Sequence, residues 1–223
     1  MQAFSDIYDR AVKRKGGEDA LLELLPKVKT PAQLKRLKDS TVLEEMTACV
    51  FRSGFVWKII TAKWPGFQQA FHNFDVTQCA MLSDEELETL STNTDIVRHA
   101  KKIASVRNNA QFVAAIREEH GSFGKFLAAW PDDDFVELWA LLKKRGDRLG
   151  GQTGRFFLRF IGCETPMFSR DVVRALIDAG VVDKEPTSKA ALKATQAAFN
   201  TWREESGRGY THISRILAMS VPD

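Results

Sequence analysis

The segment around residues 142–160 constrains the fold of this chain more than any other. A basic stretch, residues 143–145, runs into a glycine-rich turn, and a second amphipathic segment begins a few residues later. Glycine lets a backbone turn tightly and approach a ligand closely. The first amides of a helix have no partner within the helix and carry partial positive charge. The segment therefore predicts two helices joined by a tight turn that can hold a phosphate.

The charges around this turn agree with that prediction. Six basic residues and one acid surround it: Lys143, Lys144, Arg145, Arg148, Arg155, Arg159 and Asp147. The pattern is typical of a helix-hairpin-helix, which holds one nucleic-acid backbone without reading bases. A structural explanation competes, because glycine turns are common between helices and helix C-termini favour Lys and Arg in any protein.

Composition allows one large domain or two small ones. The chain has 223 residues, of which 44% are hydrophobic, and its net charge is only +3. Any strongly basic surface must therefore be local. No run of eighteen apolar residues occurs, and the first residues lack the basic-then-apolar pattern of a secretion signal. We therefore expect a cytoplasmic protein with no membrane partner.

The cysteines and histidines predict no metal site. The three cysteines, Cys49, Cys79 and Cys163, lie far apart, and the four histidines are equally scattered. No pair has the spacing of zinc ligands. An odd, sparse set of cysteines is typical of reduced thiols in a cytosolic protein. We expect neither a metal nor another cofactor.

Helical periodicity dominates the rest of the chain and predicts an all-α fold. Three capping patterns mark helix starts, at Thr30, Thr41 and Ser83. The periodicity predicts a long helix over 96–117 and further helices at 134–145, 170–179, 187–204 and 209–219. No segment alternates as a strand does. We predict a single domain over 1–223, in two helical lobes with a cleft between them.

Three segments, in order, resemble the DNA-3-methyladenine glycosylase I family of the helix-hairpin-helix DNA glycosylases. They are residues 54–60 continuing to Asp75, residues 95–103 followed by 108–110, and residues 143–146 running into the hairpin. The resemblance spans about residues 39–165. It implies an enzyme that flips a damaged nucleotide out of the duplex and hydrolyses its N-glycosidic bond. The expected substrate is an N3-alkylated purine such as 3-methyladenine, in double-stranded DNA, and we expect a monomer.

The resemblance implies a pocket for the flipped base. Trp57 matches the family's pocket tryptophan, whose face can stack on that base, and Phe51 and Cys49 are expected beside it. The alternative is that Trp57 belongs to the core, since apolar residues surround it at helical spacing. Gly54 and Phe55 match the family's plug, a turn that enters the gap left by the nucleotide. An exposed phenylalanine there can wedge between bases, whereas a buried one cannot.

The resemblance also implies a grip on the DNA backbone. The family's hairpin is matched by Gly150, Gly151, Thr153 and Gly154. We expect backbone amides there to contact a phosphate, with Lys144 and Arg155 adding charge. Solvated helix ends are the alternative for these two side chains. Arg98, His99 and Lys102 either approach the DNA or form a solvated surface, and their spacing does not separate these options.

The chain departs from the family at its zinc ligands and its pocket carboxylate. The family's N-terminal ligands have no counterpart here, and its C-terminal histidine falls on Phe168, so we expect packing of Phe168 and the helices in 187–219 to replace the zinc. The glutamate that recognises the base falls on Cys49 or Val50. Glu45 lies one turn upstream, with Glu44 beside it. We expect both acids to face solvent near the start of their helix, and Glu45 is the candidate if one of them reaches the pocket.

The wider superfamily places a catalytic aspartate after the hairpin. Ser169 stands at that place here, and Asp171 follows two residues later. A carboxylate there can stabilise the sugar cation or orient water. Alternatively, Ser169 caps a helix and Asp171 complements its dipole. The catalytic candidates are therefore Asp171 and Glu45.

Three functions remain open on the sequence alone. The first is a monofunctional glycosylase, because no lysine stands at a recognisable Schiff-base position. The second is a helix-hairpin-helix DNA-binding protein without catalysis, which the missing glutamate and zinc ligands favour. The third is a glycosylase with altered lesion specificity, because Cys49 or Val50 leaves the pocket uncharged.

Overall fold

The computed structural model describes residues 1–222, and these form α-helices and one short 3-10 turn with no β-strand. The all-α prediction is confirmed. The helices are α1 Phe4–Lys15, α2 Glu18–Glu23, α3 Pro31–Lys35, α4 Asp39–Arg52, α5 Trp57–Ala62, α6 Trp64–Ala70, α7 Val76–Ala80, α8 Asp84–Thr92, α9 Ala100–His120, α10 Phe123–Ala129, α11 Phe135–Arg145, α12 Gln152–Ile161, α13 Arg170–Asp178, α14 Lys189–Ser206 and α15 Tyr210–Ser220.

Two of the three predicted caps are confirmed. Thr30 and Ser83 each accept a hydrogen bond from the backbone amide three residues on, and that residue's side chain bonds back. The prediction at Thr41 is wrong, because α4 begins at Asp39 and Thr41 lies in its first turn. An acid in the first turn complements the helix dipole, so the earlier start is favourable.

The long helix α9 begins later than the sequence predicts. His99 occupies the N-cap position and its ring accepts a bond from the Lys102 amide, so residues 96–99 precede the helix. The helix continues to His120, where Gly121 takes a left-handed conformation with φ of 83°. The other predicted boundaries agree with the structure to within two residues.

By internal contacts the chain divides into two compact units. The terminal unit comprises residues 1–28, 131–138 and the chain from Glu164 on, and the central unit comprises residues 29–130 and 139–163. The sequence-based prediction of a single domain stays a prediction. None of the described helices is both long and apolar enough to cross a bilayer.

In the terminal unit, α15 packs against α1, α13 and α14. Phe168 is buried there, with its ring 6.4 Å from that of Phe135 and 6.3 Å from that of Phe199 in α14. Aromatic packing thus occupies the position where the resemblance places a zinc ligand. Among residues 1–222, no group of three or more His, Cys, Asp or Glu side chains could hold a metal ion.

In the central unit, α4 packs against both α9 and α12. The inner face of α4 is apolar and fully buried, and its Phe51 ring meets Phe67 edge-on at 4.6 Å between centroids. This packing brings the C-terminus of α4 beside α12, the second helix of the hairpin. The candidate site is built at that junction.

Candidate base pocket and nucleic-acid interface

The hairpin forms where the sequence predicts it. Helix α11 ends at Arg145 and α12 begins at Gln152, joined by residues 146–151, here called the hairpin turn. Arg148 and Gly151 have φ angles of 61° and 59°. A Cβ on Gly154 would lie 2.2 Å from the carbonyl oxygen of Leu149, so this position of α12 accepts only glycine. Helix and turn are therefore in direct backbone contact.

A buried asparagine anchors the hairpin turn. Asn109, in α9, donates from Nδ2 to the carbonyl oxygen of Asp147 at 3.0 Å and accepts from the Asp147 amide at 2.8 Å. Asn108 donates to the Asp147 carboxylate at 2.8 Å from an exposed position. Sequence reasoning missed the role of Asn109, although residues 108–110 carry part of the family resemblance. Because one amide side chain bonds both backbone groups of Asp147, the turn is held in one conformation.

The residues predicted to contact a phosphate differ in whether they are exposed or packed against the protein. Gly151 and Gln152 are exposed, and Gly151, the N-cap residue of α12, offers no side chain to its first amides. Lys144 is also exposed. Arg155 instead lies over the ring of Trp139, with Cζ 4.0 Å from the centroid. Gly151, Gln152 and Lys144 therefore lie at the surface and their contact with a phosphate stays a prediction, whereas Arg155 packs on a ring of the protein.

Not all of the nearby basic side chains are available to a ligand. Arg145 donates two hydrogen bonds to Glu119, at 2.9 and 2.6 Å, so its guanidinium is engaged within the protein. The bond from Arg145 also holds the pKa of Glu119 below its usual value. Lys143 and Arg148 are exposed like Lys144.

A hollow of about 230 Å³ lies between the C-terminal end of α4 and the face of α12. It is lined by Cys49, Arg52, Ser53, Gly54, Trp57, Gln152, Thr153, Phe156 and Phe160. Trp57 is 48% exposed and its ring meets Phe156 and Phe160 edge-on, with centroids 6.1 and 6.0 Å apart. Trp57 is therefore part of an open aromatic wall and not of the core.

Of the other two predicted pocket residues, one lines the hollow and the other is buried in the core. Cys49 lines the hollow, and burial raises the pKa of its thiol well above the ordinary value, with Glu45 adding to the shift. Phe51 is fully buried and packs on Phe67, so it lies in the core and not in the lining of the hollow. The physical reason is helix geometry: two residues beyond Cys49, Phe51 lies on a different side of α4.

Glu45 reaches two residues of the hollow's wall. Its Oε1 lies 3.3 Å from Nη1 of Arg52 and accepts a weak bond from the Cys49 Sγ at 3.6 Å. Burial raises the pKa of Glu45, and the Arg52 charge offsets this only in part. Glu44 is occupied elsewhere, since it accepts from Trp64 Nε1 at 2.8 Å and Gln68 Nε2 at 2.9 Å. Glu45 is thus the acid that the structure brings to the hollow.

The loop between α4 and α5, residues 53–56, is here called the plug loop. Gly54 has φ of 75°, and Phe55 is 37% exposed. Lys102 is buried beneath the loop and donates to the carbonyl oxygens of Ser53 at 2.5 Å and Phe51 at 3.3 Å. Its Nζ lies 4.5 Å from the centroid of Phe55, and burial lowers its pKa. Lys102 therefore positions the plug loop.

Asp171 belongs to the terminal unit, whereas the residues lining the hollow belong to the central unit. Ser169 caps α13 by accepting from the Val172 amide at 3.3 Å. Asp171 lies in the first turn, half-exposed, with its Oδ1 3.7 Å from Nε of Arg170. The capping interaction is observed, and a catalytic role for Asp171 stays a prediction.

Comparison with solved structures identifies the class of fold. A Staphylococcus aureus 3-methyladenine DNA glycosylase I, described for its recognition of 3-methyladenine, is 26% identical with a TM-score of 0.50, over 56% of this chain and 77% of that one. The 8-oxoguanine DNA glycosylase of Methanocaldococcus jannaschii matches 94% of this chain and 91% of its own, with a TM-score of 0.50 at 14% identity, which shows the fold alone. The fold is that of the helix-hairpin-helix DNA glycosylases.

Sequence comparison narrows this class to a family. The methyladenine glycosylase family model matches residues 34–144. DNA-3-methyladenine glycosylase 1 of Escherichia coli is 26% identical over 76 residues, and the Haemophilus influenzae enzyme is 24% identical over the same length. The matched segment covers 34% of this chain and 41% of each of these relatives. Over residues 34–144, just under half of the chain, the sequence is similar to the methyladenine glycosylase family.

Proposed function

We propose that this protein is a monofunctional DNA glycosylase that flips an N3-alkylated purine, such as 3-methyladenine, out of double-stranded DNA and hydrolyses its N-glycosidic bond. The observation that carries the proposal is the open aromatic hollow around Trp57, which adjoins the N-terminus of the hairpin helix α12. A flipped base needs such a stacking surface, and the DNA strand needs a nearby grip.

The hollow suits the chemistry of an alkylated purine. Alkylation at N3 gives the base a positive charge, which makes it a good leaving group before any acid acts. The protein then has to supply aromatic contact and some stabilisation of charge. Trp57, Phe156 and Phe160 supply the rings. The neutral Cys49 thiol leaves their surface without a carboxylate of its own.

The hairpin turn and the plug loop supply the DNA contacts in this proposal. The exposed amides at Gly151 and Gln152 receive a phosphate, and Lys144 adds charge. Phe55 enters the space that the flipped nucleotide leaves, since it is exposed and Lys102 holds its loop. Binding should therefore weaken steeply as salt concentration rises.

Glu45 is the carboxylate that we assign to the reaction. Its bonds to Arg52 and Cys49 place it at the hollow's wall, where it can act through those two residues. Asp171 is the second candidate, as an electrostatic stabiliser of the sugar cation. The Glu45→Gln and Asp171→Asn variants separate the two candidates. The variant that lacks the reacting carboxylate should lose turnover, and the other variant should keep it.

The direct test is to incubate the protein with methylated duplex DNA and to quantify free 3-methyladenine by chromatography. We expect release by the wild type and loss of release in Trp57→Ala. Met81→Ala is the matched control, because Met81 is an exposed apolar side chain outside the hollow. Intact DNA binding without release of any base would contradict the proposal.

One observation favours a second function. The family resemblance places a base-recognising glutamate at Cys49 or Val50, and of these two Cys49 lines the hollow as a neutral thiol. A protein that binds DNA through its hairpin without catalysis would show the same salt dependence and no turnover on any lesion. A panel of lesion-bearing duplexes distinguishes this function from a glycosylase with altered specificity. A monomer in the cytoplasm remains our prediction for either function.

A further inference from the structure

The hollow carries one charged group where the base would lie. Of the described residues that line it, Arg52 alone has a formal charge. Sequence reasoning gave Arg52 no role. Its guanidinium carbon lies 5.6 Å from the centroid of the Trp57 ring and 5.9 Å from that of Phe160, so it forms part of the same wall as the rings.

Arg52 is held in place but keeps unused donors. Its Nη1 pairs with Glu45 at 3.3 Å, which neutralises much of its charge. Its Nε is buried and makes no hydrogen bond in the described structure. A guanidinium has five N–H donors in a fixed plane. With Nε buried and one Nη1 hydrogen on Glu45, the three remaining Nη hydrogens are left for a ligand. The wall therefore offers a flat set of donors next to an aromatic face.

Adenine and guanine differ in how they meet such donors. Guanine presents two neighbouring acceptors, O6 and N7, and a guanidinium binds both together. Adenine presents the N7 acceptor beside the N6 amino group, which is itself a donor and opposes a guanidinium. Alkylation at N3 leaves the donor and acceptor atoms of these edges in place.

We propose that Arg52 is the specificity-determining residue of the hollow and makes it favour N3-alkylguanine over N3-alkyladenine. This inference rests on the proposed glycosylase function and names the preferred base within its substrate class. Glu45 has a second role here, because it orients the guanidinium and offsets its repulsion of a cationic base.

The test measures both products in one reaction. Duplex DNA treated with a methylating agent contains 3-methylguanine and 3-methyladenine, and the release rate of each is normalised to its abundance. The wild type should release 3-methylguanine about tenfold faster, since a bidentate arginine pair discriminates by one or more orders of magnitude. Arg52→Met should bring the ratio to about one or below, mainly by slowing release of 3-methylguanine.

Two further variants keep this test decisive. Arg52→Lys retains the charge beside Glu45 but lacks the planar fork, so it should fold and still lose the preference. Lys58→Met removes an exposed positive charge from the neighbouring helix α5 and should leave the ratio unchanged. A wild-type preference for 3-methyladenine, or a preference that survives Arg52→Lys, overturns the inference and leaves the glycosylase function standing. Release of neither base defeats the proposed function itself.

Discussion

The plug loop and the hairpin both depend on glycine, but for different physical reasons. Gly54 in the plug loop has φ of 75°, and a Cβ added there would meet nothing within 4 Å. Gly154 in the hairpin has an ordinary helical backbone, and a Cβ there would lie 2.2 Å from a carbonyl oxygen. The plug loop needs glycine's conformational freedom, whereas the hairpin needs the absence of a side chain.

The hairpin is packed into the core, whereas the plug loop lies on the surface of the core. The hairpin is fixed by backbone packing and by the two bonds from Asn109. The plug loop is held from below by Lys102, and its own side chains remain exposed. Changes in the hairpin should therefore cost folding stability first, and changes in the plug loop should cost action on DNA first.

The largest effect is expected from Gly154→Ala. The added methyl group would overlap the Leu149 carbonyl, so α12 and the turn would have to separate. Overpacking of this kind should lower the free energy of unfolding by about 3 kcal/mol. Urea denaturation followed by circular dichroism measures the loss. A midpoint equal to that of the wild type would show that the hairpin is looser than the packing indicates.

Asn109→Ala should have the next largest effect. It leaves both backbone groups of Asp147 without their partner, at a cost of about 2 kcal/mol. Asn108→Ala is the matched control, because Asn108 makes one exposed bond to the same residue, and it should cost less than about 0.5 kcal/mol. Equal losses in the two variants would mean that Asn109 does not anchor the turn.

Gly54→Ala should separate stability from activity. Its left-handed backbone would cost an alanine roughly 1 kcal/mol, with no clash. We expect a small fall in thermal stability and a larger fall in release of 3-methyladenine, because the plug loop shifts. Phe55→Ala is the comparison, since it removes the wedge without backbone strain. The contrast between the plug loop and the hairpin fails if Gly54→Ala destabilises the protein as much as Gly154→Ala does.

The smallest effect concerns the ion pair between Arg145 and Glu119 at the end of α11. Because the pKa of Glu119 is lower in the folded protein than its ordinary value of 4.5, the pair stabilises the fold above that pH. This contribution is lost as pH falls through the folded pKa.

Glu119→Gln should therefore unfold at slightly lower urea than the wild type at pH 7, and the two should converge in acid, once the pH has fallen below the lowered pKa of Glu119. Glu118→Gln, which removes the neighbouring exposed carboxylate, is the control and should track the wild type at both pH values. A difference that grows in acid would contradict the assigned direction of the pKa shift.

The sequence predicted features that depend on local rules. The caps at Thr30 and Ser83 follow from residue types three positions apart, and the hairpin follows from its glycines and basic residues. The predicted start of α9 is too early because the apolar pattern extends back to Ile96, whereas the N-cap at His99 makes the helix begin at Ala100. Apolar periodicity describes burial and does not show where a helical backbone begins.

The site was less predictable because it depends on contacts between distant segments. Lys102 meets carbonyl groups about fifty positions earlier in the chain, and Asn109 meets a turn 38 positions later. Phe51 and Trp57 looked alike as aromatic residues near Gly54, yet one is fully buried and the other is half-exposed. Only the packing of α4 against α9 and α12 distinguishes them.

The protonated state of Cys49 has a consequence for the reactivity of its sulfur. Agents that methylate DNA also attack protein sulfur, and they react with the thiolate form. Burial and the neighbouring Glu45 keep Cys49 as a thiol. Under the proposed function, the thiol in the wall of the hollow would therefore react slowly with the agents whose damage the protein removes.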